Sequence, residues 1–491
     1  MIGPQRTILF LIADTGAGHR SAANAIRNAI TFLVQKRQEE RLLQEQENEE
    51  EPKNVSDQSG CRIEIVDVFE EYSRFPLREA VKLYGPAIRH RPKLYGRIYQ
   101  FSNQAQRFSA MKTVSTPLVH NGLLRLIKSV KPDVIVSVHP LLNHVTIRIL
   151  QDLGLHIPFI TVVTDLVSVH HAWFAPGADA YIVPTTYARE LALKQGMDPH
   201  RVHLLGMPID PKFTLSFESK QELQRKLGLK PELPVVLLAG GGEGAMGLRA
   251  AVHAISQARL QVQLLIIAGR NKRLYVELQR LRSSLHIPAK VFGFVQNMQE
   301  MMHASDVIVT KAGPGTICEA LACNLPIILS GYVPGQEEGN VTFVEENQVG
   351  MLAYDSVELI NILRRLLMPG SELLQQELEN AKRISRPGAS FDIANCILDF
   401  LPVSGIPSVW KIGEGKGASR INSRQRRSSI PSRIMPSGVP DSRSRVAMRT
   451  LRRRLRRLAF LQRPVHDLSA LRSQSLTVQE HDPNLDSPKT N

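Results

Sequence analysis

Long apolar runs are missing from this chain of 491 residues. No stretch approaches the roughly 20 apolar residues that a bilayer-spanning helix needs, so a transmembrane segment is excluded. Cysteine is scarce: Cys61, Cys318, Cys323 and Cys396 are the only four, and none stands at C-x-x-C spacing. Neither a disulfide framework nor a zinc site is expected, and a reducing, cytoplasmic compartment fits. The G-x-x-x-x-G-K-[ST] pattern of P-loop nucleotidases is absent, as is any D-x-D pair of the sort that holds a divalent metal on a sugar nucleotide. The apolar run in "MIGPQRTILFLIAD" is not followed by a small-residue cleavage site. It is read as a first buried strand rather than a signal peptide.

What is present is a repeated α/β pattern. Short β-branched runs such as "TILFLIA", "RIEIVDVF", "DVIVSVH", "FITVVTD" and "AYIVP" alternate with helical stretches. A second series follows in "PVVLLAG", "QLLIIAG", "AKVFGF", "DVIVTKAG" and "LPIILSG". Strands without polar alternation belong to parallel sheets buried on both faces. The length favours two such domains, and "LLGMPIDPKF" (204–213), with two prolines, reads as the linker between them. We place an N-terminal domain at 1–205 and a C-terminal domain at 206–402. Two regions depart from the pattern. The acidic, Gln-rich stretch 35–60 reads as a helix extension running into a disordered insert. The Ser/Arg/Pro/Gly-rich stretch 403–491 reads as a disordered tail.

The charge is lopsided. Of the net +15, residues 411–491 contribute 18 Lys/Arg against 6 Asp/Glu, which leaves the rest of the chain nearly neutral. Within the tail, "RVAMRTLRRRLRRLAFLQ" (445–462) places Met448, Leu451, Leu455 and Leu458 on one stripe of a basic amphipathic helix. Such a helix suits an anionic bilayer surface, and also nucleic acid or a helix-binding partner.

The glycine loops carry the chemistry. In "FLIADTGAGHRSAANAI" (10–26), Gly16 and Gly18 supply two glycines of a dinucleotide fingerprint, but Ser21 stands where the third belongs. The loop therefore delivers His19 to a helix start at the carboxyl edge of the first strand, either as a general base or as a structural cap. In the second series, "LLAGGGEGAMG" (237–247) and "TKAGPGTICEA" (310–320) each follow a strand. Both let backbone N–H groups approach phosphates. Glu319 lies one turn into the helix after the second loop, placed to accept ribose hydroxyls. "GYVPGQEEGN" (331–340) offers Gln336, Glu337 and Asn340 as bidentate partners for sugar hydroxyls. Without a metal motif, diphosphate neutralisation falls to backbone dipoles with Arg270 or Lys311.

The segments "DTGAGHRSAANAI", "TDLVSVHHAWF", "GGGEGAMG", "GRNKRL", "GFVQNMQEMMHASDVIVTKAGPGTICEAL" and "GYVPGQEEGN" resemble the monogalactosyldiacylglycerol synthases. They resemble more distantly the processive diacylglycerol glucosyltransferases and the lipid II N-acetylglucosaminyltransferase of peptidoglycan synthesis. The resemblance covers roughly residues 6–400 and implies a GT-B fold, two Rossmann-like domains facing a central cleft. Diacylglycerol would sit on the first domain and a UDP-hexose, with galactose favoured over glucose, on the second. The last helix would cross back onto the first domain. It implies His19 as the general base of an inverting displacement and Phe294 against uracil, with Glu319 on ribose. Gly241, Gly242, Gly313, Gly315 and Thr316 would lie on the diphosphate, Gln336 and Glu337 on the sugar. Trp173 would lie near the acceptor entrance. Neither metal nor cofactor is expected, and nucleic acid is not an expected partner. The basic, Tyr-rich segment 81–101, with Tyr84 and Tyr95, and the tail stripe with Leu451 and Leu455 are expected to touch anionic lipid. The cytoplasmic face of the cell membrane is the expected location. A UDP-sugar epimerase and a non-catalytic membrane-binding relative are the competing readings.

Overall fold

The computed structural model describes residues 6–14, 18–47, 60–75, 78–79, 96–99, 101, 103, 105–215, 218–240, 247–402 and 410, with the backbone alone at 41–42, 44–47 and 105–115. Two six-stranded sheets form its centre, and each is parallel at every pairing. The first holds β1 (Thr7–Ile12), β2 (Arg62–Asp67), β3 (Val134–Ser137), β4 (Phe159–Val162), β5 (Ala180–Val183) and β6 (Val202–Leu204) in the order β2-β1-β3-β4-β5-β6. The second holds β7 (Val235–Ala239), β8 (Gln263–Ile267), β9 (Ala289–Phe292), β10 (Val307–Thr310), β11 (Ile327–Leu329) and β12 (Gly350–Leu352) in the order β12-β11-β10-β7-β8-β9.

These orders decide where ligands fit. The chain leaves β1 in one direction and resumes with β3 on the other side. It does the same at β7 and β10. A crevice opens at each such switch, outside the strand carboxyl ends. The residues just after β1, β3, β7 and β10 therefore line the two best-placed crevices, and they include His19, His139, Gly240 and Lys311.

The apolar strands are covered on both faces. Leu9 and Leu11 of β1 point into one core with Phe159 and Trp173, while Ile8, Phe10 and Ile12 point into another. The second sheet divides in the same way. The helix Ala389–Asp399 places Ile393, Ala394 and Ile397 in the core beside β1, and Phe391 meets Phe32 edge-on at 5.4 Å. Beyond it, the Trp410 indole N–H donates to the Pro132 carbonyl at 2.9 Å, at the amino end of β3.

The first long helix runs from Gly18 to Glu47. The stretch 35–60, expected to be a helix extension running into a disordered insert, is helical over its first thirteen residues. Lys, Arg, Gln, Glu and Leu are strong helix formers, no Gly or Pro interrupts them, and Lys36 pairs with Glu40 one turn on at 3.6 Å. Residues 48–59 and the tail helix expected at 445–462 lie outside the described residues, as do Tyr84, Tyr95, Leu451, Leu455, Gly241 and Gly242. Among the described residues no helix is long and apolar enough to cross a membrane.

Candidate active site

In the first domain three strand ends converge. His19 opens the helix after β1, and its ring lies 4.8 Å from that of His139, which follows β3 and caps the helix Pro140–Leu153. The Trp173 ring is 6.2 Å away. Thr164, just past β4, places its hydroxyl 3.2 Å from His19 Nδ1. Burial lowers the His19 pKa to about 4, outweighing the Val138 carbonyl and the Asp14 charge, which both favour the imidazolium. The ring is neutral at pH 7 and can accept a proton. Burial also pushes His139 well below its ordinary value and His170 down to about 4.

Asp165 behaves oppositely. Burial raises its pKa to about 6, against the hydrogen bonds that it accepts from the Trp173 indole at 2.6 Å and from the His170 backbone. Trp173 itself is 0% exposed. The sequence places it at an acceptor entrance; the structure makes it the inner wall behind His19. Its indole N–H needs a partner when buried, and Asp165 supplies one. Asp14, Arg20 and Asp67 brace the turn from outside: the Arg20 guanidinium lies 2.7 Å from Asp14, whose N–H donates to Asp67 at 2.8 Å.

In the second domain the helix Pro314–Ala322 has Gly313 at its N-cap, which has no side chain to bond its first N–H groups. Pro314, Gly315 and Thr316 form its first turn, an open positive end suited to an anion. Lys311 pairs with Glu337 beside this turn. The other Glu337 oxygen accepts the Val333 N–H at 2.9 Å, and Asn340 donates to the Ala312 carbonyl at 2.8 Å. Glu337 and Asn340, 5% and 3% exposed, therefore lace the 331–340 loop to the 311–313 turn. Gln336, just before Glu337, is half-buried. Glu319 is also half-buried, and burial raises its pKa to about 7, with Lys212 opposing and Asp210 adding. After β8 and β9, the Arg270 guanidinium lies 4.8 Å over the Phe294 ring, which is 57% exposed. That pair forms an exposed flat platform of the kind on which a planar base stacks.

Thr164, Asp165, His139 and His170 were not singled out from the sequence, although Thr164 and Asp165 open the "TDLVSVHHAWF" segment. The usable signal was position: each follows a strand end near the switch between β1 and β3. Among the described residues no cluster of three or more His, Cys, Asp or Glu side chains is placed to hold a metal ion.

Two facing parallel α/β domains with this site define a GT-B glycosyltransferase fold. A Staphylococcus aureus MnaA structure with UDP matches it with a TM-score of 0.50 at 14% identity, over 81% of this chain and 97% of that one. Acinetobacter baumannii MurG gives a TM-score of 0.49 at 14% identity, over 81% and 100%. In sequence, the description "Monogalactosyldiacylglycerol (MGDG) synthase" matches residues 19–209, and "Glycosyltransferase family 28 C-terminal domain" matches residues 235–390. Monogalactosyldiacylglycerol synthase 3, chloroplastic, from Arabidopsis thaliana is 35% identical over 405 residues, 80% of this chain and 81% of that protein. A probable monogalactosyldiacylglycerol synthase, chloroplastic, from Nicotiana tabacum is 36% identical over 405 residues, 80% of this chain and 70% of that protein. The chain belongs to the monogalactosyldiacylglycerol synthase family. The expected location on the cytoplasmic face of the cell membrane is overturned, because these relatives are chloroplastic enzymes. The residues that carry the chemistry do not encode which membrane supplies the acceptor.

Proposed function

We propose that the protein transfers galactose from UDP-galactose to the 3-hydroxyl of 1,2-diacylglycerol, with inversion and without a metal. The observation that carries the chemistry is His19, a neutral imidazole at the switch-point crevice with its Nδ1 engaged by Thr164. When Nδ1 carries the proton and donates it to the threonine oxygen, Nε2 keeps a lone pair for the acceptor hydroxyl. That hydroxyl oxygen attacks the anomeric carbon as His19 takes its proton, and the bond to the UDP oxygen breaks. The leaving diphosphate gains charge, which the open N-terminus at Gly313–Thr316 and the Lys311 ammonium can stabilise. One displacement needs no covalent glycosyl-enzyme. Phe294 with Arg270 would receive the uracil, Glu319 the ribose and Gln336 the hexose. Glu337 holds the loop that presents Gln336. Diacylglycerol would approach the first domain from an anionic lipid surface touched by the 81–101 segment and the basic tail.

The test is transfer from labelled UDP-galactose and UDP-glucose to diacylglycerol in mixed micelles containing excess EDTA, wild type beside His19→Ala. Galactolipid from the wild type, with a loss of at least about a hundredfold in the variant and unchanged UDP affinity, is the expected result. Wild-type UDP binding without glycolipid would move the acceptor away from diacylglycerol. Dependence on added metal would remove the metal-free donor site.

A further inference from the structure

The loop that carries Gln336 and Glu337 is held by both domains. From its own domain it receives the Lys311–Glu337 pair, the Asn340 bond to Ala312 and a bond from the Ala312 N–H to the Gly331 carbonyl at 2.9 Å. From the first domain it is gripped at two points. The Gly339 N–H donates to the Ser168 hydroxyl at 3.2 Å. A Cβ on Gly339 would fall 2.6 Å from that hydroxyl, 2.8 Å from Val167 Cβ and 2.9 Å from the Ser168 backbone nitrogen. Near the other end, a Cβ on Gly96 would fall 2.5 Å from the Pro334 carbonyl oxygen. The two first-domain pieces are joined to each other, because the Tyr99 hydroxyl donates to the Ser168 carbonyl at 2.9 Å.

The segment bearing Ser168 is itself fixed at both ends. Leu166 is 1% exposed and packs in the second domain's core with Ile317 and Leu329. Two residues earlier, Thr164 meets His19, and Asp165 holds Trp173 behind the imidazole. One short strap, 164–168, therefore touches the base at one end and the sugar-side loop at the other. Neither glycine has room for a methyl group in this arrangement of the domains.

We propose that the first domain sets the sugar-reading loop: Ser168 and Gly339, with Gly96 on Pro334, clasp residues 334–339, and discrimination between epimeric hexoses is made through that clasp. Ser168 and Gly339 are thereby specificity-determining positioning residues that act through Gln336. The residues proposed for the uridine, Phe294 with Arg270 and Glu319, lie in the second domain outside the clasped segment. Epimers differ by the direction of one hydroxyl, and a fixed hydrogen-bonding partner discriminates between them only while its position is held. The inference rests on the reading of this site as a UDP-hexose transferase.

The experiment compares wild type, Ser168→Ala, Tyr99→Phe and Gly339→Ala for UDP affinity by calorimetry and for kcat/KM with UDP-galactose and UDP-glucose. In Ser168→Ala the expected result is a UDP affinity within about twofold of wild type and a donor preference reduced about tenfold, the preferred donor losing most. Tyr99→Phe should show a smaller change of the same sign. Gly339→Ala should show the largest, and if it fails to fold, the other two variants decide. Equal losses for both donors, or an unchanged ratio, would show that the contact only holds the domains together and would overturn the inference. So would a fall in UDP affinity matching the fall in kcat/KM. A wild type that binds UDP but transfers neither hexose would instead sink the transferase reading, and the inference with it.

Discussion

A histidine serves as a base only while it is neutral, and His19 is kept neutral by burial rather than by a charged neighbour. Its ring lies against another buried imidazole, and the charge of Asp14 pulls the other way. The sign for catalysis follows. The base works above its pKa, and burial moves that value from 6.5 to about 4. With donor saturating, kcat/KM for diacylglycerol should therefore hold steady as pH falls through 6.5 and decline only near 4. A limb centred on 6.5 in a pH–rate profile would show a solvated imidazole and remove the pocket from the explanation. Glu319, raised to about 7, titrates on the donor side and should alter the KM for UDP-galactose rather than this limb. Thr164 and Asp165 escaped the reading of single residues because neither lies in a glycine loop. Their value comes from β4 lying beside β3 in the first sheet.

Among the elements, the helix Pro314–Ala322 is the one on which the proposed donor site most depends. Its sequence announces itself: glycine for the turn, proline in the first turn where its missing N–H costs nothing, and no acidic residue in that turn to compete with an anion. The fold sets Lys311, already a candidate from the sequence, beside it. Its Nζ would lie 3.0 Å from a Cβ on Gly313, so the ammonium stands against the first residue of the cradle. Glu337 takes one of its protons and leaves two for phosphate oxygens. Lys311→Met should weaken UDP binding at least about tenfold while changing UMP affinity less than about twofold, since a lost charge-assisted bond is worth about 1.5–3 kcal/mol and UMP lacks the second phosphate. Equal losses for the two nucleotides in a calorimetric titration would mean that the lysine supports the loop only. Lys311→Arg should recover part of the difference.

At the scale of the whole molecule, charge and catalysis are separated along the chain. Residues 411–491 hold most of the net positive charge, while the described body that contains the site is nearly neutral. Trp410 itself bonds Pro132, at the amino end of β3, whereas His19 and His139 lie at strand carboxyl ends. A deletion of 411–491 keeps Trp410 and every contact of the site among the described residues. It should retain galactose transfer in mixed micelles within about threefold, and lose most of its binding to vesicles containing anionic lipid at low salt. Vesicle flotation with and without the tail is the measurement. Undiminished binding would assign the lipid contact to the folded body, and lost micellar activity would give the tail a part in catalysis.

Much of this protein was legible before any coordinates. Buried β-branched runs such as "TILFLI" and "VVLLA", each ending in a glycine turn, commit the chain to parallel sheets, because such strands have no polar face to show to water. Parallel sheets place the ends of successive strands on one edge, so His19, Glu319 and Gln336 could be named as candidates from order alone. Tertiary structure decided what those residues meet. That Glu337 spends both oxygens inside its own domain, that Trp173 is a buried wall, and that Ser168 reaches Gly339 from the other domain are contacts between distant parts of the chain. The helix extension runs through Glu47 for a local reason, uninterrupted helix formers outweighing acidity. Local propensity and strand polarity act over a few residues and can be read from them. The hydrogen bond across 145 positions exists only once the first sheet has assembled, and the one across 171 positions only once the two domains have met.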